Sequence, residues 1–366
     1  QKRLWAAERP IAILGGSRWS EKAVRQFARF AERFDLPVAC SFRRQMLFDH
    51  MDEHYVGDVG IGLNPALMRR IRDADLVLLV GGRMAEMPSQ SYTLFDIPYP
   101  SQTLVHVHAD AEELGRVYRP DLAIHASGAA FSAAAESLEP PPGDIRWTDW
   151  TAAARADYLA WSEDLPETPG PVRLGRLFAA LRARLPEDVI IANGAGNYAT
   201  WIHRFWRFRR WATQAAPISG TMGYGLPAAI AAALQFPDRR VVCFSGDGCF
   251  QMNSQEVATA VQSGAKFVAF VVDNGIYGTI RMHQEREFPA RVHATTLVNP
   301  DFAALARAHG AVGLTLERDE DIDSVLDEAL AVDGLVFVHV KTVPEAITPT
   351  TTLTKLRDTA LAGKKG

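Results

Sequence analysis

The sequence predicts an α/β protein with two doubly wound parallel-sheet domains. Continuous apolar runs, such as residues 240–245 and 266–272, suit strands buried on both faces of a parallel sheet. Helix-like stretches separate them, and Pro140-Pro141-Pro142-Gly143 makes a stiff break between two such alternating patterns. The expected division is residues 1–143 for one domain, 144–187 for a linker with helices, 188–345 for a second domain and 346–366 for a C-terminal tail.

Ile11-Ala12-Ile13-Leu14 reads as the first strand, closed by Gly15-Gly16 and followed by a helix over 21–34. Leu76-Val77-Leu78-Leu79-Val80 runs into Gly81-Gly82-Arg83, and Leu104-Val105-His106-Val107-His108 into Ala109-Asp110. Past the junction, the spacing predicts an amphipathic helix over 150–163, a passage through Pro166, Pro169 and Pro171, and a helix over 172–184. Val189-Ile190-Ile191-Ala192 is a strand leading into the small-residue loop Asn193-Gly194-Ala195-Gly196-Asn197-Tyr198, a place where an anion meets unpaired amides. The run 203–211 interleaves basic and aromatic residues. Short and isolated in an acidic chain, it reads as a subunit interface rather than as an RNA or membrane contact. Pro227 fits the first turn of a helix reaching Ala233. Asn253 with Glu256 makes a capping box for a crossover helix over 253–263. The Thr-rich tail is expected to fold partly over a site, with Lys364-Lys365-Gly366 fraying.

Chemistry concentrates where two of these strands end. Gly246-Asp247-Gly248 closes one and Asp273-Asn274 the next, so oxygen donors converge on one point. The Asp247 carboxylate supplies charge, the Asn274 amide a neutral oxygen and the Ile276 carbonyl a third donor, leaving an octahedral Mg²⁺ places for phosphate and water. Gly246 and Gly248 let the backbone turn sharply and approach a diphosphate.

Composition excludes several classes. The 366 residues carry a net charge of −4, which argues against nucleic acid as a partner. No apolar run is long enough to span a membrane and no signal peptide is read. Cys40, Cys243 and Cys249 are odd in number and lack metal-ligand spacing, pointing to a reducing cytoplasm.

The Gly-Asp-Gly element and Asn274 one βα unit later resemble the signature of thiamine-diphosphate (ThDP) enzymes, with Asp273 where that family commonly has a first Asn. The stretch Pro217-Ile218-Ser219-Gly220-Thr221-Met222-Gly223-Tyr224-Gly225-Leu226-Pro227 resembles the acetolactate-synthase-like branch. The resemblance implies a central Rossmann-like domain followed by the ThDP diphosphate-binding domain. It implies metal ligands at Asp247, Asn274 and Ile276, and cofactor contacts at Asn197, Tyr198, Gly220, Met222, Gly246, Asp247, Gly248, Cys249, Asn274, Ile276, Gly278 and Thr279. On this resemblance the Gly220 carbonyl holds the pyrimidine amino group, Met222 wedges the bent cofactor, and Asn197 and Tyr198 stand where related synthases use Gln and His on the diphosphate. Met222 as a core gap-filler and Asn197 as a plain loop residue are the competing readings. Met282, His283 and Gln284 fall in a region that lines the substrate pocket of relatives, with His283 the weakest candidate.

The implied cofactors are thiamine diphosphate and Mg²⁺. FAD is not favoured, because Gly15-Gly16-Ser17 and Gly81-Gly82-Arg83 do not form the Gly-x-Gly-x-x-Gly fingerprint. The activating glutamate of such enzymes belongs to an N-terminal pyrimidine-binding domain that finds no match in this chain, which begins at Gln1, so no catalytic residue is named. The implied function is decarboxylation of a 2-oxo acid with transfer of the resulting carbanion to an acceptor. This chain would supply the diphosphate half of the site in a homodimer or homotetramer, as a transferase or lyase. A simple 2-oxo-acid decarboxylase, a glyoxylate-type carboligase and a non-catalytic ThDP-binding assembly subunit are the alternatives.

Overall fold

The computed structural model describes residues 1–363 and resolves into two compact units. One comprises Gln1–Asp164 with Arg207–Gln214; the other holds the remainder. The first carries β1 (Pro10–Leu14), β2 (Val38–Ser41), β3 (Tyr55–Val59), β4 (Leu76–Val80), β5 (Thr103–His108) and β6 (Leu122–His125), in the order β3-β2-β1-β4-β5-β6 with every pairing parallel. Strands β1 and β4 are buried along their whole length, as their unbroken apolar sequence requires. The helix Glu21–Arg33 is capped by Ser20, whose Oγ accepts from the Ala23 amide at 3.2 Å, and it buries Phe27 and Phe30.

Strand order reverses between β1 and β4, and there the paired glycines explain themselves. A Cβ on Gly16, which has φ +70°, would stand 1.9 Å from the Gly81 carbonyl oxygen. The Trp19 indole closes the same corner by donating to the Gly15 carbonyl at 2.8 Å.

The second sheet contains β7 (Ile190–Asn193), β8 (Gln214–Ala215), β9 (Val241–Gly246), β10 (Phe267–Asp273), β11 (Val312–Leu316) and β12 (Leu335–Lys341), ordered β11-β12-β10-β9-β7-β8. The pairings among β11, β12, β10, β9 and β7 are all parallel. Phe244 of β9 stacks on Phe270 of β10 with ring centroids 5.1 Å apart. Both sheets therefore match the expected doubly wound α/β class. Among the described residues, no helix is long and apolar enough to cross a membrane.

Three expectations need correction. The helix expected as part of the linker, Thr148–Glu163, belongs to the first unit. There the Trp150 indole donates to the Pro10 carbonyl at 3.0 Å and Asp157 pairs with Arg70 at 2.6 Å. Most of the basic-aromatic run cannot face another subunit, since His203, Arg204, Phe205, Trp206, Arg207 and Phe208 are all buried within the chain, while Arg209 and Trp211 are half-buried and Arg210 is exposed. The Arg207 guanidinium donates to the Tyr158 hydroxyl at 2.6 Å and to Ser162 Oγ at 2.7 Å, so its charge serves an internal polar network. Finally, the crossover after β9 begins with a short helix, Asp247–Gln251, and the next helix spans Glu256–Ser263 without a side-chain cap. Asn253 turns away from the expected capping box and donates to the Gly223 carbonyl at 3.0 Å.

Candidate functional site

The C-terminal ends of β9 and β10 are braced around Asp247. Its Oδ1 accepts from the Gly248 amide at 2.9 Å, and its Oδ2 accepts from the Gly275 amide at 2.9 Å and from Asn299 Nδ2 at 2.7 Å. Asp273 shares two of these donors, taking the Gly275 amide at 3.0 Å and Asn299 Nδ2 at 2.7 Å on Oδ1. Its Oδ2 lies 2.8 Å from His339 Nε2, on β12, while His339 Nδ1 accepts from the Phe302 amide at 3.3 Å. That acceptance places the ring proton on Nε2, facing Asp273. Burial pushes the Asp247 carboxyl up to about 6; bonds from Asn299 and Gly248 oppose the rise and the nearby Asp273 charge adds to it. Burial raises Asp273 too, but bonds from His339, Asn299 and Gly275 outweigh it and hold Asp273 below the usual carboxylate range.

Asn274 stands between these contacts. Its Oδ1 accepts from the Ile276 amide at 3.2 Å, an Asx turn that sets the exit from β10. The Ile276 carbonyl accepts no hydrogen bond from any described residue, and Ile276 itself is buried. Among the described residues, no cluster of three His, Cys, Asp or Glu side chains could hold a metal. The available donor set is instead one carboxylate, one amide and one main-chain carbonyl. All three are hard oxygens, the donor type that suits Mg²⁺.

The loop after β7 packs beneath this point. Tyr198 is buried, and its hydroxyl, expected to donate to a diphosphate, donates to the Phe244 carbonyl at 3.2 Å. Its ring fills the space a Gly246 Cβ would need, 3.1 Å away. Asn197 is buried as well; its Oδ1 accepts from the Thr279 hydroxyl at 2.8 Å and its Nδ2 faces Met282 Sδ at 3.5 Å. Cys249 Sγ accepts from the Gly223 amide at 3.3 Å, anchoring the glycine loop that carries Gly220 and Met222. Gly220 has φ +71° with open space around it, and Met222 is half-buried. The face of Gly248 where a Cβ would go is filled by Tyr277, 2.7 Å away, and by Leu297.

Packing at Gly194 is equally close. A Cβ there would lie 2.3 Å from Cys249 Sγ, so Gly194→Ala is expected to destabilise the chain by about 1–3 kcal/mol. A thermal melt should show the loss, and Cys249→Ala in the same chain should recover part of it. An unchanged melting temperature for Gly194→Ala would refute the packing argument.

The helix Gly278–Glu287 starts at the expected Gly278 and Thr279. His283 is exposed, whereas Gln284 is tied to the following loop, donating to the His293 carbonyl at 2.8 Å. The tail does fold back here: Ile347 and Leu353 pack with Ile276 and Met282, and the helix Leu353–Gly363 brings Arg357 onto Glu285. Lys364-Lys365-Gly366 lie outside the described residues. Sequence reasoning missed Asn299 and His339. Asn299 sits in an Asn-Pro-Asp turn before a capped helix, Phe302–Ala308, where an amide reads as turn chemistry.

Comparison with known proteins accounts for this arrangement. The family model for the thiamine pyrophosphate enzyme, C-terminal TPP binding domain, matches residues 194–340, the stretch that holds every contact around Asp247 described above. The model for the thiamine pyrophosphate enzyme, central domain, matches residues 1–134. The chain belongs to the thiamine pyrophosphate enzyme family. Within that family it is similar to the acetolactate synthase isozyme 2 large subunit of Escherichia coli (strain K12), 27% identical over 344 residues, covering 93% of this chain and 61% of the relative. An acetolactate synthase of Mycobacterium bovis is 28% identical over 352 residues (92% and 56%). The acetolactate synthase large subunit of Parasynechococcus marenigrum is 29% identical over 342 residues (92% and 54%). The chain thus spans a little over half the length of the curated relatives it matches. The resemblance read from Gly246-Asp247-Gly248, Asn274 and the 217–227 glycine loop is borne out at the level of family and branch.

Proposed function

We propose that this thiamine pyrophosphate enzyme chain holds the diphosphate of ThDP through Mg²⁺ and serves an acetolactate-synthase-like reaction, supplying the diphosphate half of the site. The observation that carries the reading is the braced pair of strand ends, with Asp247 immobilised by three donors beside Asn274 and an Ile276 carbonyl that accepts from none of the described residues. Asp247, Asn274 and Ile276 would hold the cation. Amides of Gly278 and Thr279 and the loop around Asn197 would border the diphosphate, while Gly220 and Met222 would meet the pyrimidine and the bend of the cofactor. Bound ThDP supplies the electron sink that lets a 2-oxo acid lose CO₂ and its remaining carbons pass to an acceptor. The chain's own residues orient that group: buried Tyr198 and Cys249 fix the backbone at Gly246 and Gly223, and the Thr279–Asn197 bond ties the loop after β7 to the helix at Gly278.

The test is consumption of pyruvate with ThDP and Mg²⁺, with this chain alone and with a pyrimidine-binding domain added. Turnover is expected to depend on the added domain, as is formation of a longer hydroxy-acid in place of aldehyde. Full turnover by the chain alone would contradict the half-site reading, and aldehyde as sole product would favour a simple decarboxylase.

A further inference from the structure

The proposed cation site leaves one group without a stated purpose, the side chain of Asn299. Its Nδ2 donates to two carboxylates, Asp247 Oδ2 at 2.7 Å and Asp273 Oδ1 at 2.7 Å, while its Oδ1 accepts from Gln251 Nε2 at 2.9 Å. An amide nitrogen carries two hydrogens and a carboxylate offers roughly four acceptor directions. One hydrogen of Asn299 therefore goes to each acid, and the Gly275 amide is shared between the same two oxygens. Oδ2 of Asp247 is thereby occupied twice, whereas Oδ1 holds only the Gly248 amide. Asp273 is turned the other way, its second oxygen committed to buried His339.

We propose that Asn299 is a positioning residue for the cation: it clamps Asp247 Oδ2, bridges the two acids as a fixed pair, and leaves Oδ1 as the oxygen that Asp247 would offer to Mg²⁺. This rests on the reading of the site as a Mg²⁺–ThDP site. Three donors on one carboxylate fix its plane, so Asp247 would hold the cation through Oδ1, while Asp273, although acidic and adjacent, has its oxygens committed to Gly275, Asn299 and His339. The clamp comes from a loop 52 residues away in sequence, and Gln251, on the short helix that Asp247 itself begins, holds the far side of the amide.

The experiment measures the Mg²⁺ concentration that gives half-maximal ThDP binding by calorimetry, for the full chain and for Asn299→Ala and Asn299→Leu. Loss of such an outer partner is expected to raise that concentration by about 10–100-fold, with saturating Mg²⁺ restoring most of the ThDP affinity. Melting in EDTA should remain close to that of the unchanged chain. A purely structural role would lower the EDTA melting temperature and would not be rescued by Mg²⁺; that outcome, or an unchanged Mg²⁺ requirement in folded variants, overturns the proposal. Should both variants unfold, Gln251→Ala on the exposed side carries the test: a smaller shift in the same direction is expected, and no shift overturns the assignment. If the unchanged chain binds ThDP with no dependence on a divalent cation, the cation-site reading falls and the role of Asn299 falls with it.

Discussion

Asp247→Ala is expected to weaken Mg²⁺-dependent ThDP binding by roughly 100-fold or more, on the order of 3 kcal/mol. Asp247 is the single carboxylate in the candidate donor set, so its removal takes away the one charged side chain proposed to hold the cation. The same change strands the Gly248 amide and one hydrogen of Asn299, and leaves the Gly275 amide with Asp273 alone. Asp247→Asn separates these effects. It keeps the side-chain shape and one acceptor oxygen, which can stay with Gly275 and Asn299 while its NH₂ faces the Gly248 amide, so it should cost less stability than Asp247→Ala and, without the charge, still lose most of the cation-dependent affinity. Calorimetric titration of ThDP at fixed Mg²⁺, repeated in EDTA, checks both variants. Binding by Asp247→Asn that matches the unchanged chain would remove the carboxylate from the cation site. If the chain were a non-catalytic assembly subunit, sedimentation would show complex formation indifferent to either change.

Legibility in the sequence followed the physics of each element. Strands β1, β4, β7, β9 and β10 were readable because a parallel strand covered on both faces is apolar along its length, and their ends carry glycine or polar residues where the chain turns; β5 was readable from Leu104, Val105 and Val107 despite buried His106. β2 and β6 were not, since Val38–Ser41 follows one β-branched residue with small and polar ones and Leu122–His125 is largely exposed at a sheet edge. Asp247 and Asn274 stood out because each sits at a strand end beside glycine. Asn299 could not, because its meaning arises only when the loop after residue 295 folds back, with Leu297 donating to the Gly275 carbonyl at 2.8 Å. Asn253 misled for a related reason. Its sequence context offers a cap, but the glycine loop at Gly223 presents a carbonyl within reach, and tertiary contact overrides local preference.

Acid sensitivity of the C-terminal helix follows from Glu285. This buried carboxylate accepts from Arg357 Nε at 3.0 Å and Nη2 at 2.9 Å, from Arg281 Nε at 3.0 Å and from the Ala290 amide at 3.0 Å. The Arg357 fork, more than any other contact, pulls it from its ordinary 4.5 down to about 2. A folded-state value below the unfolded one means that the unfolded chain binds more protons between the two. The stabilisation is therefore complete above about pH 4.5 and is lost as pH falls toward 2, amounting to about 3 kcal/mol. Glu285→Ala should remove it at every pH and leave two arginines facing a gap, costing about 3 kcal/mol or more. Hydrogen exchange over Leu353–Gly363 should then accelerate on the order of 100-fold. Arg357→Ala should accelerate the same amides, and the double variant should do little beyond Glu285→Ala, because both changes break one bond pair. Exchange in Glu285→Ala as slow as in the unchanged chain would mean that Ile347 and Leu353, packed on Ile276 and Met282, hold the tail by themselves. Loss of the tail would also uncover Met282, which faces Asn197, so the same variant is expected to loosen the loop after β7.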